Sequence, residues 1–104
     1  MRVVFLLALA LALLPPSDAA ASGRRDHERA RAALAAGEIR PLSDLMAQVE
    51  ARYLGRVIET ELDRRRDRWV YEFKLLPPSG RIYELVIDAE TGALLDSRGP
   101  VQPR

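Results

Sequence analysis

The chain of 104 residues contains no cysteine, one histidine, one lysine and one tryptophan. Without cysteine there is neither a disulfide framework nor a thiolate metal site. His27 has no second histidine or cysteine with which to complete a zinc site or a nucleophile–base pair, so neither metal hydrolysis nor a serine hydrolase is supported. It reads instead as a solvated residue in the first turn of a helix. No charge predominates: 16 basic side chains face 15 acidic ones, and charged residues make up 30% of the chain, an ordinary share for a globular domain. Arginine supplies nearly all the positive charge, but acidic residues match it almost one for one. A nucleic-acid partner is therefore not indicated. Nor is there an apolar run of the ~20 residues needed to span a bilayer.

The apolar run that is present stops after about a dozen residues and reads as export machinery. Residues 1–21 have the build of a secretory signal peptide. Arg2 forms the positive start and Val3 to Leu14 the apolar stretch. Pro15 and Pro16 break it, and Ser17 to Ala21 offer small residues for cleavage. No cysteine follows, which excludes a lipoprotein. Removal leaves the charge balance unchanged, because Arg2 and Asp18 depart together. The expected location is periplasmic or secreted, with membrane contact only transient, through the signal peptide. The remaining chain is one small domain, which buries only about 60% of its unfolded surface. Residues 22–25 are expected as a flexible lead, 26–98 as the folded domain and 99–104 as a disordered tail.

Within that domain the pattern is α+β, two helices followed by four strands. Asp26 suits an N-cap and Gly37 a C-terminal stop, bounding a helix whose apolar positions are mostly alanine (Ala30, Ala33, Ala36, with Leu34). Ile39 to Leu42 forms an extended link, since Pro41 disfavours helix at Arg40. Ser43 is the expected cap of a second helix with Asp44 in its first turn. Leu42, Leu45, Met46, Val49 and Tyr53 make its buried stripe, and Gly55 ends it.

The strands then follow. Val57 to Asp63 alternates, with Ile58, Thr60 and Leu62 on one face and Val57, Glu59 and Glu61 on the other. Trp69, Tyr71, Phe73 and Leu75 share a face of the next strand, opposite Val70, Glu72 and Lys74. Four of the six aromatic residues, Tyr83 included, fall in this strand and its successor, which locates the core. A loop at 78–80 sets Phe73 opposite Leu85 and Lys74 opposite Glu84. In the first hairpin, a two-residue loop at Arg65-Arg66 would oppose Glu59 to Glu72, which is repulsive. A four-residue loop over Arg65–Arg68 opposes Glu59 to Lys74 and is preferred. Lys74 then sits between Glu59 and Glu84, biasing register without deciding stability. Asp88 to Gly92 forms a tight turn, in which the Asp88 carboxylate accepts backbone N–H bonds and Gly92 takes the left-handed position. That role accounts for Asp88 and Glu90 without a calcium loop, which needs more oxygen ligands. A short edge strand with Leu94 inward completes the sheet.

These residues resemble the PepSY domain family. The resemblance is carried by Gly37, Ile39, Pro41 and Leu42-Ser43, then Val57-Ile58-Glu59, Trp69-Val70-Tyr71-Glu72, Gly80-Arg81, Tyr83-Glu84 and Asp88-Ala89-Glu90-Thr91-Gly92. It covers roughly residues 27–98. It implies two helices packed on one face of a four-stranded antiparallel meander sheet. It also implies a domain found in metallopeptidase propeptides, membrane proteins and small exported proteins, associated with regulation of peptidases and carrying no assigned catalytic residues. One departure stands out: Arg66-Asp67 precede Arg68-Trp69 where the family often has Asp-Gly. Asp67 must then adopt the turn geometry glycine usually provides.

The candidate partner-binding residues are those of the sheet face away from the helices, Val57, Val70, Glu72, Lys74, Ile82, Glu84 and Val86, together with Arg64, Arg65 and Arg66 at the hairpin tip. An apolar patch on such a face suits a protein contact, and the arginines suit an acidic one. No catalytic, cofactor or metal residues are assigned. The expected role is a non-catalytic protein-binding or regulatory module, its partner a peptidase or sensor protein. A small-ligand or metal-responsive envelope sensor is the alternative.

Overall fold

The structure, a computed structural model, describes residues 18–104, with side chains from residue 23. Most of the expected signal peptide lies outside the described residues. The chain falls into two units, residues 1–31 and 32–104. The elements are α1 (Asp18–Ala35), α2 (Leu42–Arg52), β1 (Arg56–Arg65), β2 (Arg68–Leu76), β3 (Tyr83–Asp88) and β4 (Leu94–Arg98). The strands form one sheet in the order β1-β2-β3-β4, every pair antiparallel. This is the expected α+β fold of two helices followed by a meander.

The first helix begins earlier than its capping residue suggested. Asp26 lies inside α1, and residues 22–25, expected as a flexible lead, are helical. Alanine and arginine dominate this stretch, and both favour helix strongly enough to carry it through Gly23. The other end is as expected. Gly37 has φ 77°, its N–H bonds to the Leu34 carbonyl, and the Glu38 N–H bonds to the Ala33 carbonyl at 2.8 Å. This pair of bonds makes a Schellman stop. Ala33 is buried there, whereas Leu34 is exposed.

Ser43 does not cap α2. Pro41 is the N-cap, with φ −53° and ψ 137° and no side-chain cap bond. Its carbonyl accepts from the Asp44 and Leu45 N–H groups at 3.1 and 3.3 Å, so the helix starts earlier than expected. It also ends before Gly55. Tyr53 is already extended, bridged to Pro103. Gly55 answers a different need: a Cβ there would lie 3.0 Å from the backbone of Leu76 and Pro77.

Leu45 and Val49 of α2 meet Phe73, Leu75, Tyr83, Leu85 and Ile87 of the sheet in one buried cluster, with Ile39 and Ala89 closing it. Trp69, Tyr53 and Val101 pack against its margin. The β2–β3 register is the expected one, Phe73 opposite Leu85 and Lys74 opposite Glu84, although β3 begins at Tyr83 rather than Arg81. β1 and β2 also align as expected, Glu59 opposite Lys74, but their loop is shorter. Arg65 pairs with Arg68, leaving only Arg66 and Asp67 as the turn.

A bulge at Ile58 sets Val57, not Ile58, opposite the buried Leu75. Val57 therefore packs against the core and leaves the outer face, while Ile58 is exposed. The Val57 N–H donates to Glu50 Oε1 of α2 at 3.1 Å, which holds the strand in that offset. At the far edge Leu94 opposes Ile87 but stays 45% exposed, because β4 is the margin of the sheet.

The tail is ordered rather than disordered. The Leu54 N–H donates to the Gln102 carbonyl at 2.7 Å and the Arg104 N–H to the Arg52 carbonyl at 2.9 Å. The Arg104 side chain reaches the Glu50 carbonyl at 2.7 Å. The tail is held because α2 ends in carbonyls that lack helical partners and because Tyr83, otherwise buried, directs its hydroxyl to the Leu54 and Gln102 carbonyls.

Candidate functional site

Alternation along β2 sends Trp69, Tyr71, Phe73 and Leu75 to α2 and leaves Arg68, Val70, Glu72 and Lys74 on the outer face. Pairing extends that face across the sheet. Glu59, Glu61, Asp63 and Arg65 lie on it from β1, and Glu84 and Val86 from β3. Asp96 comes from β4, opposite Val86.

Half of this face is a ladder of ion pairs. Lys74 Nζ lies 3.0 Å from Glu59 Oε2 and 3.8 Å from Glu84 Oε1, and Glu84 also meets Arg98 at 3.8 Å. The hydrogen bond and charge of Glu59 push the Lys74 ammonium above its ordinary pKa. Glu61 stands directly opposite Glu72, a repulsive pairing. Arg65 relieves it by donating to Glu72 Oε1.

The other half, beside the hairpin tip, is a hollow lined by Arg65, Arg66, Arg68, Val70, Val86, Leu95 and Asp96. Val70 is its floor. Although it faces away from α2 it is only 1% exposed, so it is shielded rather than presented as expected. Arg65, Arg66 and Arg68 line the hollow around it, and long arginine stems can shelter apolar surface while keeping their charged ends in water.

The tip itself is strained. Arg66 and Asp67 have φ of 51° and 59°, the signs of a type I′ turn, which Asn-Gly fits best. The left-handed region costs an ordinary L-residue roughly 1–2 kcal/mol. Asp67 thus takes the geometry the departure at this position demanded, and Arg66 shares it. Arg64 points to the other face, its guanidinium 5.2 Å from the centre of the half-buried Trp69 ring. Arg68 bonds Asp88 Oδ2 at 3.1 Å. The other Asp88 oxygen accepts the Glu90 and Thr91 N–H groups at 2.8 and 3.0 Å, and the Gly92 N–H closes the turn on the Asp88 carbonyl at 2.8 Å. Both carboxylate oxygens of Asp88 are thereby engaged, as a turn residue requires. The turn is docked from α2, where Gln48 Nε2 donates to the Gly92 carbonyl at 2.8 Å.

The pattern of one helix, a meander and a docked Asp-Ala-Glu-Thr-Gly turn has a counterpart among known families. A model of the PepSY family, described as peptidase propeptide and YPEB domain, matches residues 41–98. The chain belongs to the PepSY family. The PepSY match spans α2 and all four strands, leaving α1 and the ordered tail outside it. No curated protein and no solved structure matches the chain.

Of the expected contact residues, the PepSY sheet brings Val70, Glu72, Lys74, Glu84, Val86, Arg65 and Arg66 onto or beside one face. Val57 is withdrawn to the core and Arg64 to the face of Trp69. Ile82 is 48% exposed but lies outside the paired strands. Asp96 joins the hollow without having been singled out, and Arg68 joins it from the basic cluster of the hairpin. Arg68 was available from the alternation two residues before Val70. Asp96 was not, because the irregularity between Val86 and Ile87 shifts the register of β4.

Proposed function

We infer that this PepSY protein is a non-catalytic regulatory module acting outside the cytoplasm by contact with another protein, a peptidase or a sensor ectodomain. The observation that carries the reading is the membership itself, in a family described by its occurrence as a peptidase propeptide. The sheet supports it. In the unit of residues 32–104, α2 covers the inner face, and the outer face carries a charge ladder running into an apolar-floored hollow. Such a surface offers shape and charge to a partner. Among the described residues no helix is long and apolar enough to cross a membrane. Export follows from the reading of residues 1–21 as a cleaved signal peptide.

The test is direct. The exported protein, whose N-terminal sequencing should begin at Ser22, is assayed for inhibition of co-secreted metallopeptidases and for stable complexes with them. Saturable inhibition weakened by charge reversal at Lys74 and Glu84 is expected. A protein that neither binds nor slows any of these peptidases has lost the peptidase reading.

A further inference from the structure

Arg66 is the basic residue of the hairpin tip with no ion pair among the described residues. Arg65 bonds Glu72, Arg68 bonds Asp88, and Arg64 lies near Asp67 and over Trp69. Yet Arg66 is kept at a left-handed backbone position, and strained residues of this kind gather where they serve a site. It stands over the hollow floored by Val70 and Val86, with exposed Leu95 at one side. Asp96, also without an ion pair among the described residues, lines the same hollow. Asp96 Oδ1 accepts the Ser97 N–H at 2.8 Å, so the hollow combines an unpaired guanidinium, an aliphatic floor and a carboxylate with one oxygen left for a ligand.

We propose that this hollow binds the C-terminal aliphatic residue of a peptide. That residue displays three complementary groups on one carbon. Its α-carboxylate suits the Arg66 guanidinium, which matches a carboxylate with two parallel N–H donors. Its branched side chain covers Val86 and Leu95 above the Val70 floor, and its backbone N–H donates to Asp96 Oδ2. An acidic side chain within a continuous peptide fits less well, because neighbouring side chains of an extended chain point to opposite faces. A peptide is favoured over a free amino acid because β4 is an edge strand. Its outer edge pairs with no strand among the described residues, so the chain leading away from the terminus can add there. The proposal rests on the outer face being the contact surface and names what that surface recognises.

The exported protein, isotopically labelled, is titrated with acetyl-Ala-Thr-Ala-Leu carrying a free carboxylate, with its C-terminal amide and with free leucine. Expected are methyl shifts at Val70, Val86 and Leu95 for the acid, with at least tenfold weaker binding of the amide and of leucine. Arg66→Gln should weaken the acid at least tenfold while leaving the spectrum of the unbound protein otherwise unchanged, since the Arg66 side chain is exposed and pairs with none of the described residues. Equal binding of acid and amide, leucine as tight as the peptide, or an indifferent Arg66→Gln would each overturn the proposal. A protein that binds no peptide yet still inhibits a peptidase loses this site and keeps the regulatory role. One that binds the acid alone and no peptidase keeps the site and loses that role.

Discussion

Tyr83 shows how a single side chain ties remote segments together. Its ring is 1% exposed in the core, while its hydroxyl serves the Leu54 and Gln102 carbonyls at the end of α2 and in the tail. Burial raises its pKa above the ordinary 10.0, and burial does the same for Tyr71. In the folded chain these phenols stay protonated at a pH where the unfolded chain would ionise them. Their contribution to stability is thus complete below pH 10.0 and is lost as pH rises through the higher folded values. Urea unfolding followed from about pH 8 to 11 should show stability falling above roughly pH 10. Tyr83→Phe should flatten that fall and cost about 1 kcal/mol at neutral pH, the worth of a hydrogen bond between uncharged groups. An unchanged alkaline slope would mean that Tyr83 is not a source of it. Trp69 and Phe73 were readable as inward from alternation alone. The reach of the Tyr83 hydroxyl was not, because its acceptors lie 29 and 19 residues away.

Among the elements, the β1–β2 hairpin departs most from what its residues prefer. Opposed charges fixed its register, Glu59 against Lys74, and that much was legible. The turn was not, because Arg66-Asp67 is a poor type I′ pair and the residues pointed to a longer loop. The ladder closes up to Arg65 and Arg68 all the same. Added strand pairing and the Arg65–Glu72 bond offset the strain. Asp67→Gly should therefore stabilise the protein by about 1 kcal/mol, since glycine takes φ near 60° without the Cβ clash. Denaturation midpoints at constant m-value would show it. The hollow should survive that change, because Asp67 does not line it. A destabilised Asp67→Gly would point to a turn held by the Arg64–Asp67 contact, which at 3.9 Å and full exposure of Asp67 is too weak to expect. The Ile58 bulge teaches a related lesson. Strict period-2 alternation places Ile58 inward, and only the grip of Glu50 on the Val57 N–H explains why Val57 takes the place.

For the molecule as a whole, the tail is the consequential surprise. Removing residues 101–104 takes away Val101 from the core margin and three hydrogen bonds to the backbone of residues 50–54, along with the long Tyr83 bond to Gln102 and the exposed Gln102–Ser79 bond. Each bond contributes about 0.5–1.5 kcal/mol and Val101 about 1 kcal/mol, being only partly buried. Against these stand about 1–2 kcal/mol of ordering cost for each of four residues. The gain and the cost nearly cancel, so the truncation should cost no more than about 2 kcal/mol. It should show most clearly as faster amide exchange at Tyr53 and Leu54. Unaltered exchange there would mean that the tail does not protect the end of α2. The sequence by itself determined the two-helix, four-strand order, the aromatic inner face of β2, the Glu59–Lys74–Glu84 ladder and the Asp88–Gly92 turn. All of these depend on period, charge or turn chemistry within a few residues. Only the tertiary structure decided that Val57 belongs to the core, that Val70 is buried although it faces away from α2, and that the tail binds the end of α2. Those outcomes depend on which distant partner satisfies a backbone group or covers a methyl, and no local pattern specifies that partner.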